Sequence, residues 1–201
     1  MSAPSVIHPT SATFGDLFPP YLGVRHDSRP CDAAYDAEAS YTYRDAEGNE
    51  VAWKHIFRCR CGQRHKSALW EGDGRSAPLF VLPAVVTAQQ VIVVEGERDV
   101  VTLARALGIY DQDGPWGTVP TSFPHGTALS QWDREDLVWP LRGKRLVLVP
   151  DRDEPGEAFM RRGLEHFPDA TLFTIPPPDK DVSDMGARLQ PWLVTLIGGT
   201  Q

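Results

Sequence analysis

The sequence predicts an α/β fold: a mostly parallel sheet with helices on both faces, preceded by a small β-hairpin subdomain. Three passages carry that expectation. Val91-Ile-Val-Val94 is an unbroken β-branched run, Gly96 follows where the chain must turn, and Val100, Leu103, Ala104 and Leu107 then recur at helical spacing. Leu146-Val-Leu-Val149 begins a second such unit, with Pro150-Asp-Arg-Asp-Glu-Pro-Gly156 as its turn and helical text from Glu157. Tyr41-Thr-Tyr43 and the segment 51–57 are β-prone and flank the turn residues 45–49. Apolar runs without alternation suit strands covered on both faces, and strands alternating with helices suit a parallel sheet.

In chain order, residues 1–38 are rich in Pro, Ser, Asp and Ala without a sustained period and read as a loosely ordered lead-in. Residues 39–88 form the small basic β-rich subdomain, in which the hairpin is followed by a Gly/Asp/Ser stretch and then by Leu79-Phe-Val-Leu-Pro83. Residues 89–201 form the α/β domain, whose first helix is closed by Gly108 and whose last expected strand covers 171–175. Trp132 and Trp139 flank Asp133-Arg-Glu-Asp136 and are expected to pack on the sheet from a helix.

The 201 residues, 41% apolar and 23% charged, exclude collagen, coiled coil and wholesale disorder. No apolar run approaches the roughly 20 residues of a membrane span, and the first 14 residues lack the pattern of a signal peptide. A soluble cytoplasmic protein with no membrane partner is expected. Three cysteines, Cys31, Cys59 and Cys61, do not make a disulfide framework. The net charge of −7 argues against a nucleic-acid binder until its distribution is considered. Residues 91–201 hold 17 acidic and 11 basic side chains, whereas residues 54–66 hold five basic residues and no acid. Acid gathered in tight clusters can hold divalent metal, which turns such clusters into attractors of phosphate.

Three expected strand ends carry acids: Glu95 after the first, Asp151 and Asp153 after the second, Asp181 and Asp184 after the third. Ligands of open parallel sheets bind beyond those ends. Alternate residues of an extended segment project to one side, so Asp151 and Asp153 can share a cation while Arg152 points away. Mg²⁺ or Mn²⁺ suits such oxygen ligands together with substrate phosphates. For Asp99, Glu154 and Glu157 taken alone, an ordinary place in the first turn of a helix is an equal reading.

Val93-Val-Glu95-Gly-Glu-Arg-Asp99, Val149-Pro-Asp151-Arg-Asp153-Glu-Pro-Gly156 and Lys180-Asp181-Val-Ser-Asp184 resemble, in order and spacing, the Toprim domain of bacterial-type DNA primases, a Rossmann-like fold. The variety carried by phages, plasmids and other mobile elements is the most similar, and the resemblance extends over roughly residues 40–190. It implies Glu95 as metal ligand or general acid/base, Asp151 and Asp153 as the metal-binding pair, Asp99 as a further acid, and Asp181 and Asp184 as an acidic motif bordering the metal. It implies synthesis of short RNA primers on a single-stranded DNA template from ribonucleoside triphosphates, with a replicative helicase as a candidate partner. A Toprim nuclease and a catalytically inactive nucleic-acid-binding module are the alternatives.

Lys54, Arg58, Arg60, Arg64 and Lys66 interleave with Phe57 and follow Trp53, a pattern that can track a nucleic-acid backbone or simply face solvent on a half-buried hairpin. Arg152 and Lys180, inside the acidic motifs, are the candidate contacts to nucleotide phosphates, with surface pairing to the adjacent acids as the alternative. A single CxC at Cys59 and Cys61, with His55, His65 and Cys31, falls short of two spaced ligand pairs, and Zn²⁺ is not expected. His125 lies on a loop within reach of the crevice or of bulk water. There is no GxxxxGK, GxSxG or HExxH, so a helicase motor of the usual kind, a serine hydrolase and a zinc protease have no support.

Overall fold

The computed structural model describes residues 6–7, 25–26, 29–30, 35–60, 66–109 and 117–198. The chain divides into two units, one holding Glu50–Ala77 with the strands before Arg44, the other holding the turn Arg44–Asn49 and the chain from Pro78 onward. In the first, β1 (Val6–Ile7), β4 (Tyr35–Arg44), β5 (Glu50–Cys59) and β6 (Lys66–Gly72) form a sheet in the order β1-β4-β5-β6, and β2 (Arg25–His26) pairs with β3 (Arg29–Pro30). The hairpin of β4 and β5 turns where the sequence expects it. Asp45 Oδ1 accepts the Asn49 N–H at 2.8 Å, and Gly48 takes φ +91°, a region that favours glycine. Tyr43, Ala52 and Phe57 are fully buried, and the Tyr43 ring lies 5.1 Å from that of Trp70. β6 has no counterpart in the sequence reading, because Lys66-Ser-Ala-Leu-Trp-Glu-Gly72 is only partly covered and its composition is mixed. The short strands within residues 1–38 escape it too, since two residues carry no readable alternation.

The second unit contains α1 (Leu82–Thr87), β7 (Gln90–Val94), α2 (Glu97–Ala106), β8 (Thr118–Ser122), α3 (Glu135–Val138), β9 (Arg145–Leu148), α4 (Glu154–His166), β10 (Thr171–Leu172) and α5 (Leu189–Gly198). Its four strands are parallel, in the order β10-β9-β7-β8, and helices flank the sheet. All of β7 is buried, as a central strand with no polar alternation must be. Gly108, at φ +70°, closes the turn that ends α2. β8 was not expected, and Pro120 explains why: a proline demotes a run as a strand, yet is tolerated on an edge, where β8 pairs with β7 alone.

Trp132 is fully buried, with ring centroids 4.4 Å from Phe123 and 5.3 Å from Phe159. A Cβ on Gly163 of α4 would stand 2.6 Å from the indole, so this helix keeps a glycine in its interior to admit the ring. Trp139 does not pack as expected. Leu137, Val138 and Leu141 take the inward positions around it, leaving Trp139 64% exposed. Trp139→Ser should therefore change stability by no more than about 0.5 kcal/mol in a urea titration. Among the described residues no helix is long and apolar enough to cross a membrane.

Candidate active site

Strand order fixes where the crevice opens. The chain leaves β7 for β8 on one side, then returns to place β9 on the other, so the carboxyl ends of β7 and β9 form the topological switch point of the sheet. Pairing continues one residue past β9, where the Val149 N–H donates to Val93 O at 2.9 Å. Glu95 is the first residue beyond β7, and its Oε1 accepts the Asp151 N–H at 2.8 Å across the switch point. The two acids that the sequence separates by more than fifty residues are thus tied together. The approach needs a glycine in the first turn of α4: a Cβ on Gly156 would lie 2.9 Å from Glu95 Cδ and 3.0 Å from Asp151 O.

Three of the other acids, Asp153, Asp99 and Asp181, stand around this pair with partners of their own. Asp153 caps α4, accepting the Gly156 N–H on Oδ1 at 3.0 Å, while its Oδ2 meets Lys180 Nζ at 2.8 Å. Asp99, buried on α2, accepts the Ser183 N–H at 3.0 Å and the Ser183 hydroxyl at 2.5 Å. Asp181 caps the short 3-10 turn Val182–Asp184, accepting the Asp184 N–H at 2.8 Å, and pairs with Arg98 at 2.9 Å. Asp184 points outward as an exposed residue.

Charge and burial act together here. Burial, reinforced by the charges of Asp153 and Asp99 and opposed by the Asp151 N–H, pushes Glu95 up to about 7. Burial and then the charges of Glu95, Asp99, Asp181 and Asp153 push Asp151 up to about 8. Burial raises Asp99 despite the two Ser183 hydrogen bonds. Asp153 goes the other way, held low by Lys180 and the Gly156 N–H. Burial and mutual repulsion both disfavour the charged forms of Glu95 and Asp151, and a cation among them would favour those forms.

The donor set fits a hard divalent ion. It is all oxygen, Glu95 and the Asp151 backbone meet at the end of the sheet, and Mg²⁺ needs only one or two carboxylates with waters and phosphates completing its shell. Among the described residues, however, no three acidic, histidine or cysteine side chains already stand as a metal-holding group. Asp153, Asp99 and Asp181 are turned instead to Lys180, Ser183 and Arg98.

Arg152 donates its N–H to Lys180 O at 2.8 Å and Nη1 to Asp179 O at 3.0 Å, which knits the Asp151–Asp153 turn to the loop after β10. Arg188 pairs with the buried carboxylate of Asp179, so three cations, Arg152, Lys180 and Arg188, meet this one loop. In the first unit, the register sets Lys54, Ile56 and Arg58 of β5 opposite Trp70, Ala68 and Lys66 of β6, which puts all six on one face. Lys54 Nζ lies 5.5 Å from the Trp70 ring centroid. Arg58 and Lys66, like charges directly opposite, are bridged by Glu38 at 2.8 and 3.7 Å. Arg60 is exposed and Cys59 buried, while Arg64, Cys61, His65 and Cys31 lie outside the described residues.

Sequence reasoning missed Gly156 as a site residue, although the spacing of Asp153 to Gly156 holds the signal. It also missed Ser183, Arg98 and Gln131. Gln131, buried, accepts the His125 N–H at 2.9 Å and donates to Gly126 O at 2.8 Å, fixing the loop that follows β8; nothing in the sequence marks that clasp.

A four-stranded parallel sheet in this order, with a glutamate after its central strand and a DxD after the neighbour, defines a Toprim-type α/β fold. Solved structures of primases have this fold. The chain is similar to the primase fragment of the bacteriophage T7 primase-helicase protein, with 20% identity and a TM-score of 0.54 over 82% of this chain and 63% of that one. It is also similar to a chain in an assembly of bacteriophage T7 lagging-strand DNA polymerase with two primase domains, at 19% identity and a TM-score of 0.53 over 81% of this chain and 74% of that one. A third similar structure holds the zinc-binding and RNA polymerase domains of the Aquifex aeolicus primase, at 15% identity and a TM-score of 0.50 over 80% of this chain and 40% of that one. The chain thus spans less than two thirds of the first and third of these. No family model and no curated protein matches the sequence.

Proposed function

We propose that the chain is a metal-dependent, Toprim-type nucleotidyltransferase that makes short RNA primers on single-stranded DNA from ribonucleoside triphosphates. The observation that carries this reading is the Glu95–Asp151 pair, bound together at the switch point of the sheet. Glu95 and Asp151, with Asp153 beside them, would hold Mg²⁺ or Mn²⁺. The ion, once bound, neutralises triphosphate charge and lowers the barrier to displacement at the α-phosphate. Glu95 would serve at this position as a metal ligand or as the group that accepts a proton from the attacking primer 3′-hydroxyl. Arg152 and Lys180 supply positive charge for the β- and γ-phosphates, and the face bearing Lys54, Trp70, Arg58 and Lys66 supplies charge and a stacking surface for the template.

Incubation with a single-stranded template, ribonucleotides and Mg²⁺ or Mn²⁺ should yield short RNA, and Asp151→Asn should yield none. Absence of product from the intact protein with either metal would remove the primase assignment. The same proton-accepting Glu95 serves hydrolysis where the nucleophile is water, so labelled DNA and RNA included in the assay report nuclease activity directly. For the template face, Lys54→Ala with Arg58→Ala should lower the slope of log affinity against log salt by about 1.4, at roughly 0.7 per phosphate contact on a single strand. An unchanged slope would take the template off this face.

A further inference from the structure

Lys180 reaches into the acidic cluster at Asp153. Its Nζ is 2.8 Å from Asp153 Oδ2, and the other oxygen of Asp153 is spent on the Gly156 N–H. Both Asp153 oxygens are therefore engaged while Lys180 stays in place, and a metal ion approaching Asp153 meets a resident ammonium on Oδ2. The ammonium is not locked in. Lys180 is 57% exposed and Asp153 34% exposed, so the pair is wet, and exposed pairs of this kind are worth at most about 1 kcal/mol. The backbone around Lys180 is fixed, by contrast. Its carbonyl accepts the Arg152 N–H, Asp179 before it is buried against Arg188, and Asp181 after it caps the next turn. A flexible four-carbon arm on a rigid base can exchange partners without moving the loop.

We propose that Lys180 is a resident counter-ion, occupying Asp153 in the metal-free protein and leaving it for a phosphate of the nucleotide when a divalent ion binds. This rests on the metal-dependent reading above and adds a regulation to the same site. Lys180 neutralises the DxD motif between turnovers, competes with metal alone, and cooperates with metal that arrives with a triphosphate. Its effect on the two ligands therefore has opposite signs, and its effect on metal alone runs through Asp153, which a lysine acting only by its charge at a distance does not require.

The test is calorimetric titration of the intact protein with MnCl₂ alone and with Mn²⁺ plus a non-hydrolysable ribonucleoside triphosphate, for the wild type, Lys180→Met and Lys180→Gln. A thermal melt of each confirms folding, and agreement between the two variants guards against an artefact of either side chain. Loss of Lys180 should tighten Mn²⁺ binding by roughly fivefold in the absence of nucleotide and weaken the nucleotide complex by a similar factor. The gain for Mn²⁺ should vanish in an Asp153→Asn background, as a double-mutant cycle requires of a direct pair. Unchanged or weaker Mn²⁺ binding in both Lys180 variants overturns the proposal and leaves the metal site standing. No Mn²⁺ uptake by the wild type overturns the metal-dependent reading itself.

Discussion

Gly156→Ala should destabilise the protein by about 1–3 kcal/mol and cut its affinity for Mn²⁺ by about tenfold or more, although an alanine inside a helix ordinarily favours it. The sign follows from what a Cβ meets. Gly156 lies in the first turn of α4, and the Glu95 carboxyl group rests on it while reaching the Asp151 N–H. Glu95 Cδ would be 2.9 Å from the new carbon and Asp151 O 3.0 Å, and backbone oxygen does not yield as a flexible side chain does. Either Glu95 swings out of the switch point or the start of α4 shifts. The first breaks the Glu95–Asp151 tie; the second moves the Asp153 cap, whose bond is to the Gly156 N–H itself. Urea unfolding measures the stability change and Mn²⁺ titration the affinity change. A stabilised protein with wild-type Mn²⁺ binding would mean that Glu95 does not occupy this cradle in solution.

The same residues show how far a sequence carries. β7, β9 and α2 are legible because burial on both faces demands unbroken apolar runs, and helix periodicity demands Val100 and Leu103 on one side. Glu95 and Asp151 are legible because charge at the end of such a run is costly without a role. β8 is not legible, since Pro120 is forbidden only in a strand paired on both edges, and which strand lies at an edge is a property of the whole sheet. The partners of Asp153, Asp99 and Asp181 are equally hidden. Ser183 is 84 residues from Asp99 and Arg98 is 83 from Asp181, so only the folded chain shows that these acids already have donors. For Lys180 the sequence offers a phosphate contact or a surface pair with an adjacent acid, and the structure shows it paired with Asp153 of the DxD motif.

Asp151→Asn should abolish primer synthesis and at the same time make the metal-free protein more stable above pH 7. Glu95 and Asp151 have folded values of about 7 and about 8, both above the roughly 4 of an unfolded carboxyl. Between pH 4 and pH 8 the native state therefore binds more protons than the unfolded chain, and stability falls as pH rises through that window. The penalty is absent below pH 4 and fully present above pH 8. Asparagine keeps the shape of Asp151 and cannot ionise, so the variant loses the part of the decline between pH 7 and 8 and much of the part below it, leaving the Glu95 contribution. Added Mn²⁺ acts on the same charges from the other side. Binding needs deprotonated ligands and releases their protons, so Mn²⁺ should raise the melting temperature of the wild type more at pH 8 than at pH 6, and should do little for Asp151→Asn at either. Thermal melts at the two pH values, with and without Mn²⁺, give all four comparisons. A wild-type protein whose metal-free stability is flat from pH 5 to 8 would show that these carboxylates are solvated and separate, and a variant that melts lower than the wild type at pH 8 would show that Asp151 holds the fold through contacts other than its charge.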